Sequence, residues 1–263
     1  MTKKLLFRAC FVSCAALLSL GATAGSCAPP GSRWTPKVGE SWQYQLDGAI
    51  DTSVNVAVFD VDGFDTPSSV VATLHSHHAH VICYISAGAW ENWRPDAGKF
   101  PASVLGSTNG WPGEKWLDIR QIAILRPIMA ARFDTCRAKG FDAVEPDNVA
   151  GYTNSTGFPL TAANQIAYNK MIAGLAHARG LKVGLKNDVE QARSLVGSFD
   201  FAVNEQCFQY SECSTLAPFI AAHKPVFNVE YRGAPRSVCP AAATMKFSSI
   251  YKKLSLNAYR VGC

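Results

Sequence analysis

Short apolar or β-branched runs recur at intervals along the chain, and each predicts a β-strand. Several of these runs are separated by stretches with a helical pattern, so that strands and helices alternate. The eight predicted strands are SWQYQL (41–46), VNVAVFDVDG (54–63), HVICYISAG (80–88), KWLDIRQ (115–121), FDAVEPDN (141–148), LKVGLKND (181–188), FDFAVNEQC (199–207) and PVFNVEY (225–231).

Two of the intervening segments have the clearest helical patterns, at residues 124–140 and 160–180. Each ends in a glycine suited to a helix C-terminus and is followed at once by a predicted strand. The second helix has a suitable N-terminal cap in Thr161, with Gln165 near its first turn. Repeated strand, helix and strand units predict a parallel sheet.

Eight strands in one chain of this length favour a single-domain α/β fold, the (β/α)8 TIM barrel, over a doubly wound open sheet. No strand end carries the glycine-rich phosphate loop that is typical of the open sheet. Two connections fit the barrel less well. The segment DGAIDTS (47–53) is too short for a full helix, and residues 90–113 read as a long loop rich in Trp and Pro.

The N-terminal 24 residues have the pattern of a secretory signal peptide. Lys3, Lys4 and Arg8 precede an apolar stretch, and Ala22 and Ala24 form a small-x-small cleavage site. The apolar stretch is shorter than the about 20 residues that a membrane span needs. We therefore predict a signal peptide over 1–24, a Pro-, Gly- and Ser-rich linker over 25–40, a barrel domain over 41–263, and a secreted protein. Lipid attachment at Cys27 is the less favoured alternative.

Composition excludes several classes of function. With 48% hydrophobic and 17% charged residues the chain is globular rather than disordered. Removal of the signal peptide takes away three of the 25 Lys and Arg and none of the 20 Asp and Glu, which leaves a net charge of only about +2. A nucleic-acid partner is therefore not expected. We predict a monomer without a membrane span.

Seven cysteines remain after cleavage, and an exported chain is expected to use them in disulfides. Cys207 and Cys213 can close a short loop, and Cys239 with Cys263 can tether the C-terminal segment. Cys83 is then left with Cys136, and Cys27 is unpaired. Sequence alone does not determine this connectivity.

Polar residues follow most of the predicted strands, where the active site of a TIM barrel lies. Carboxylates and amides bind sugar hydroxyls, and aromatic rings stack on sugar faces, so the pattern resembles a carbohydrate site. The predicted substrate-binding residues are Gln45, Asp60, Asp62, Tyr84, Trp90, Asp118, Glu145, Asn148, Lys186, Asn187, Asp188, Gln206, Glu230 and Tyr231.

Glycoside hydrolysis needs two carboxyl groups that flank the scissile bond. Glu145 and Asp147 point to the same face of one strand, so a partner is needed from a later strand, either Glu205 or Glu230. The alternative for each carboxylate is a structural salt bridge, for example to Lys186.

In order along residues 41–233, the motifs WQYQL, FDVDGFDT, ICYISAGAWENWRPD, WLDIR, GFDAVEPDN, GLKND, FAVNEQC and NVEY resemble glycoside hydrolase family 114, the endo-α-1,4-polygalactosaminidases. The resemblance implies a secreted TIM-barrel enzyme that cuts within α-1,4-linked galactosamine polymers, some of them N-acetylated. It also implies that Asp147 and Glu205 are the catalytic pair, with Glu145 as a partner of Asp147.

Under this hypothesis Asp147 attacks the anomeric carbon, while Glu205 donates a proton to the leaving oxygen and later activates water. An inverting mechanism would use the same residues. We expect the cleft to be acidic and to favour a cationic glycan. The residues expected to provide this charge are Asp60, Asp62, Glu91, Asp118, Asp188 and Glu230.

No metal or cofactor is predicted. The tract HSHHAH (75–80) lacks a carboxylate or cysteine at a spacing that completes a metal site, so a solvated helix end is the preferred interpretation. A divalent ion at Asp60 and Asp62, a thiolate at Cys207 and a Schiff base at Lys186 fit less well. The rival functions are a carbohydrate-binding barrel without turnover and a hydrolase of another aminosugar polymer.

Overall fold

The computed structural model describes residues 34–263; the predicted signal peptide and Cys27 lie outside these residues. The strands are β1 (Trp42–Gln45), β2 (Val58–Asp62), β3 (His80–Ser86), β4 (Ala89–Glu91), β5 (Glu114–Trp116), β6 (Ala143–Asp147), β7 (Lys182–Lys186), β8 (Phe201–Glu205), β9 (Val226–Glu230), β10 (Ser248–Tyr251) and β11 (Val261–Gly262). The helices are α1 (Ser68–Ser76), α2 (Ile122–Lys139), α3 (Ala162–His177), α4 (Ala192–Leu195), α5 (Cys207–Tyr210), α6 (Ala217–Ala221) and α7 (Pro235–Met245).

Eight strands form a curled parallel sheet in the order β1, β2, β3, β6, β7, β8, β9 and β10, and β11 pairs antiparallel with β10. The first and last parallel strands meet, because β1 contacts β10 and the Trp42 indole donates a 2.8 Å hydrogen bond to the Ser248 carbonyl. The predicted (β/α)8 fold is confirmed.

Two strand predictions need correction. KWLDIRQ (115–121) is not a barrel strand, because only its first residues are extended, and β5 pairs antiparallel with β4 beside the barrel. The eighth barrel strand is β10, whose sequence SSIY lacks an apolar run and gives little signal on its own. The predicted loop over 90–113 accordingly contains part of β4 and two short 3-10 turns. The segment 47–53 has no helix, as predicted.

Both predicted helices are present, and their ends have clear local causes. Gly140 ends α2 in the left-handed region at φ 93°, which glycine adopts without a steric penalty. Thr161 caps α3, and its hydroxyl accepts a hydrogen bond from the amide of Asn164, whose side chain accepts from the Thr161 amide. Asn164 rather than Gln165 therefore completes the capping box. Gln165 is buried and donates to Asn169.

The apolar core has two layers. One fills the space between the sheet and the surrounding helices, and the other fills the barrel interior. Trp34, from the predicted linker, belongs to the interior layer and stacks on His80 with ring centroids 5.0 Å apart. The ordered domain therefore includes residues before position 41.

Three disulfides staple this fold: Cys83–Cys136, Cys207–Cys213 and Cys239–Cys263. All three expected pairings are confirmed. Between residues 34 and 263, no helix has the length and apolar character that a bilayer span requires.

Candidate active site

Asp147 lies at the carboxyl end of β6, beside the end of β3. The strand register places Tyr84 opposite Glu145 and Ser86 opposite Asp147. Tyr84 donates a 2.7 Å hydrogen bond to Oδ2 of Asp147. Asn148 adopts a left-handed conformation at φ 62°, which turns the chain, and its side-chain amide donates to Ser86 Oγ at 3.0 Å and to Asp147 Oδ2 at 3.4 Å.

Glu205 occupies the corresponding position at the end of β8. The hydroxyl of Tyr231 donates a short hydrogen bond to Oε1 of Glu205. The Asn187 side-chain oxygen accepts a 2.9 Å hydrogen bond from the Glu205 amide, which connects the end of β7 to the end of β8. Gln206 lies next to this site in a left-handed turn at φ 66°, and its side chain donates to Gln209.

Lys186 lies between the two carboxyl groups. Its Nζ is 3.5 Å from Oδ1 of Asp147 and 3.5 Å from Oε2 of Glu205. Below them it makes a short ion pair with Glu145 and a 2.8 Å hydrogen bond to the Tyr44 hydroxyl. The lysine side chain is buried, so these contacts are made away from bulk water.

These contacts keep Lys186 charged. Burial by itself would lower the pKa of Lys186, but the charges of Asp147, Glu145 and Glu205 outweigh burial and raise it well above its ordinary value. Burial raises the pKa of Glu145, and the Lys186 charge opposes that rise. A permanently cationic Lys186 does not fit a Schiff-base role, which requires a neutral amine.

The phenols of the site remain neutral donors. Burial raises the pKa of Tyr84 well above its ordinary value, and the charge of Asp147 raises it further. Burial and the Glu205 carboxylate raise the pKa of Tyr231 in the same way. Tyr84 and Tyr231 therefore keep their hydroxyl protons around neutral pH and can donate them to the two carboxyl groups.

Asp147 and Glu205 open into a cleft of about 230 Å³. Its walls combine acidic, aromatic and apolar side chains, and neither lysine nor arginine is among the described lining residues. The lining residues are Tyr44, Leu46, Asp47, Tyr84, Trp111, Glu114, Asp147, Asn148, Glu205, Tyr231, Leu254, Ser255 and Leu256.

Two carboxylates expected to bind substrate are instead paired with arginines. Asp62 accepts hydrogen bonds of 3.0 and 2.6 Å from Arg94, which also pairs with Glu91 at 2.9 Å. Asp118 is buried and accepts bonds of 2.7 and 2.9 Å from Arg120. The structure therefore assigns Asp62 and Asp118 to salt bridges outside the cleft.

Asp188 and Glu230 are also buried and do not line the cleft. Asp188 accepts a 2.8 Å hydrogen bond from Asn169, and burial raises its pKa to about 8. Glu230 accepts 3.1 Å bonds from the Phe208 amide and from Asn228, and burial raises its pKa as well. Glu230 is therefore not placed to act as the partner of Asp147.

Three other expected ligands have structural contacts. Gln45 is buried and donates to the carbonyls of Asp47 and Ala49, which shapes the loop after β1. The indole of Trp90 donates a 3.1 Å bond to the Ala97 carbonyl. Asp60 is buried in the barrel interior next to Glu145.

The acidic character of the cleft therefore has a different origin from the one expected. Asp47 and Glu114 line the cleft beside Asp147 and Glu205. Burial raises the pKa of Glu114, and hydrogen bonding from Asn109 at 2.6 Å opposes that rise. Asp47 and Glu114 are not among the predicted ligands, because Asp47 is one residue beyond the predicted strand 41–46 and Glu114 is one residue before the predicted strand 115–121.

Tyr44 was also not selected, although it lies on β1 inside the barrel. It reads as an interior aromatic residue in WQYQL, and nothing nearby in sequence indicates its contact with Lys186. Trp111, exposed by 59%, and the segment 254–256 complete the cleft from outside the strand ends.

The histidines of the tract have other contacts. His75 pairs with Asp142 at 2.8 Å, and His80 stacks on Trp34. No group of three or more His, Cys, Asp or Glu suited to a metal ion occurs among residues 34–263.

The chain resembles known proteins in both sequence and structure. The family model described as glycoside-hydrolase family GH114 matches residues 23–263. The crystal structure of Ega3 from Aspergillus fumigatus in complex with galactosamine is 42% identical, with a TM-score of 0.83, 88% of this chain covered and 98% of that one. No curated protein sequence matches the chain.

More distant structures share the fold. The glycoside hydrolase domain of PelA from Pseudomonas aeruginosa has a TM-score of 0.67 at 12% identity, covering 86% of this chain and 98% of that chain. The α-galactosidase TtGalA from Thermus thermophilus has a TM-score of 0.54 at 11% identity, and the match covers 83% of this chain and 59% of that chain. The family match over nearly the whole chain, together with the 42% identity, leads to one conclusion: the chain belongs to glycoside-hydrolase family GH114 and is a glycoside hydrolase.

Proposed function

We propose that this protein is a secreted endo-acting hydrolase of α-1,4-linked galactosamine polymers, with Asp147 as nucleophile and Glu205 as acid and base. The observation that carries the proposal is the common contact of both carboxyl groups with Lys186, at 3.5 Å each, at the floor of one cleft. The galactosamine bound to Ega3, which is 42% identical, supports the choice of sugar.

The contacts of the two carboxyls suit different roles. Asp147 receives hydrogen bonds from Tyr84 and Asn148 and an ionic contact from Lys186, and these contacts orient it for attack as the nucleophile. The side chain of Glu205 is 26% exposed, against 19% for Asp147, and can reach a leaving oxygen or a water. During glycosyl transfer Asp147 becomes a neutral ester as Glu205 loses its proton, so one negative charge moves between two groups that both contact Lys186.

The spacing of the two carboxyl groups supports a retaining mechanism. Because Oδ1 of Asp147 and Oε2 of Glu205 contact the same Nζ, their separation cannot exceed the sum of the two contacts. This excludes most of the range of about 6.5–9.5 Å that is typical of inverting enzymes and agrees with the about 5–5.5 Å of retaining ones.

The acidic cleft supports a cationic substrate. Deacetylated galactosamine carries an ammonium group, and Asp47 and Glu114 lie on the cleft wall without a lysine or arginine among its described lining residues. Trp111 provides an exposed aromatic face of the kind on which sugar rings stack. These features support a polymer containing free amino groups over a fully acetylated one.

The test is product release from α-1,4-polygalactosamine, acetylated and deacetylated, by the mature chain and by Asp147→Asn and Glu205→Gln. We expect oligomers from the wild type, none from either variant, and an α-anomer as the first product in the NMR spectrum. A β-anomer would contradict retention. No release from either polymer, with the fold intact by circular dichroism, would favour the binding-module or other-glycan alternatives.

A further inference from the structure

Two carboxyl groups lie next to each other in the interior of the barrel, below the catalytic pair. Asp60 on β2 and Glu145 on β6 are both fully buried, and their carboxyl groups are neighbours in the barrel interior. Two ionised carboxylates repel each other strongly in such a place, so an arrangement of this kind requires that one of them carries a proton. The surrounding donors decide which one.

The hydrogen-bond donors that reach this pair of carboxyl groups all contact Glu145. Its Oε1 receives Nζ of Lys186 and the hydroxyl of Tyr44, the latter at 3.4 Å. Within residues 34–263, no protein donor reaches either oxygen of Asp60 or Oε2 of Glu145. The negative charge therefore belongs on Glu145 and the proton on Asp60. Burial, and next the charge of Glu145, raise the pKa of Asp60 well above its ordinary value, in agreement with this assignment.

We propose that Asp60 is a positioning residue that acts as a neutral carboxylic acid, donating a hydrogen bond to Oε2 of Glu145 and holding the ionised Glu145 against Lys186. Its protonation is independent of the substrate, whereas its effect on turnover rests on the function proposed above. Asp60 makes no contact with the cleft and is not itself a catalytic residue.

The role of this proton follows from the charges around Lys186. Glu145 fixes Lys186 from below, and Lys186 is equally distant from Asp147 and Glu205 above. The hydroxyls of Tyr44, Tyr84 and Tyr231 are the other titratable groups of the cluster, and the pKa of each is raised. With Asp60 neutral, the charge of Lys186 compensates that of Glu145, and the catalytic pair adds one further negative charge. An ionised Asp60 would add a charge and make the pair harder to ionise.

The first test compares Asp60→Asn with Asp60→Ala in the full mature chain. Asn is isosteric and neutral and keeps a donor for Glu145, so we expect kcat within about twofold of wild type and a superimposable pH profile of kcat/KM. Ala removes the donor, and we expect about a 10-fold lower kcat with a nearly unchanged KM. If either limb of the pH profile of kcat/KM moved by one pH unit or more in Asp60→Asn, the proposal would be overturned. Such a shift would mean that the substitution had removed a negative charge and that Asp60 is ionised in the wild type.

The second test does not depend on turnover. Infrared difference spectra of wild type and Asp60→Asn at pH 7 should show the band of a protonated carboxyl group that is lost in the variant. Its absence would overturn the proposal even for an active enzyme, and its presence would support it even if no galactosamine polymer is cleaved. This measurement also stands if Asp60→Ala fails to fold.

Discussion

The hydroxyl of Tyr84 donates a 2.7 Å hydrogen bond to Oδ2 of Asp147 across neighbouring strands of the barrel. This bond fixes the orientation of the proposed nucleophile, because Asp147 is otherwise held by longer contacts to Asn148 and Lys186. A phenol whose pKa is raised by burial provides this contact without competing for the negative charge.

Tyr84→Phe should lower kcat by about 10-fold or more, because a hydrogen bond to a charged group contributes about 1.5–3 kcal/mol. KM should change less, since the ring remains in place. The matched control is Tyr152→Phe, whose hydroxyl bonds Glu190 at 2.8 Å outside the cleft. Equal kinetics in both variants would show that Tyr84 does not orient the nucleophile.

Glu114→Gln should weaken binding of the cationic polymer. Gln keeps the size of the side chain and can still accept from Asn109, but it removes a charge from the cleft wall. We expect KM for deacetylated polygalactosamine to rise by about fivefold at low salt, in keeping with about 1 kcal/mol for an exposed charge pair, and KM for the acetylated polymer to change little. Asp134→Asn, an exposed carboxylate paired with Arg179, is the control. An equal change with both polymers would exclude charge recognition at Glu114.

Asp188→Asn should stabilise the protein near neutral pH. The pKa of Asp188 is raised to about 8 in the folded state, so between about pH 4 and 8 the folded state holds a proton that the unfolded chain has released. The contribution of Asp188 to the free energy of unfolding is therefore most favourable below pH 4, and it declines as the pH rises to 8. Asn tolerates the left-handed backbone at φ 46° and can accept from Asn169.

Asp188→Asn should raise the free energy of unfolding by on the order of 3 kcal/mol at pH 7, and this gain should vanish near pH 4. Urea unfolding at both pH values measures it. A constant difference between variant and wild type at the two pH values would show that Asp188 does not retain its proton in the folded state.

The disulfide Cys83–Cys136 should stabilise the fold more than Cys207–Cys213. The first closes a loop with a sequence separation of 53 and the second a loop with a separation of 6. Because closing a loop lowers the entropy of the unfolded chain, the first disulfide should contribute about 4 kcal/mol to the free energy of unfolding and the second about 2 kcal/mol. Paired Cys→Ala variants, compared by urea unfolding under oxidising conditions, test this order. A larger loss from the short loop would indicate that packing around Cys207 dominates.

Seven of the eight barrel strands could be predicted from the chain, because each contains several apolar or aromatic residues within a short segment between turns. The eighth, β10, could not, because SSIY has no apolar run of its own and is extended through pairing with β9 and β11. WLDIR was mistaken for a barrel strand because it does contain apolar residues. Leu117 and Ile119 are buried in the core layer between sheet and helices, but the extended residues before them pair with β4 and not with a barrel strand.

The catalytic candidates Asp147 and Glu205 came from the sequence through strand ends and family motifs. What the sequence could not decide is which of the other strand-end carboxylates face the cleft. Arg94 pairs with Asp62 away from the cleft, and this pairing depends on where Arg94 lies in the folded chain, whereas Arg120, the partner of Asp118, is only two residues away in sequence.

The sequence by itself therefore determined the barrel, the family and the presence of carboxylates at the ends of β6 and β8, because strand periodicity and motif order are local properties. Only the tertiary structure decided how the buried carboxyl groups are charged. Asp60 and Glu145 are similar groups in the sequence, and they differ because Lys186 pairs with Glu145 while burial acts on both. These are properties of the space inside the barrel, which no segment of the chain contains alone.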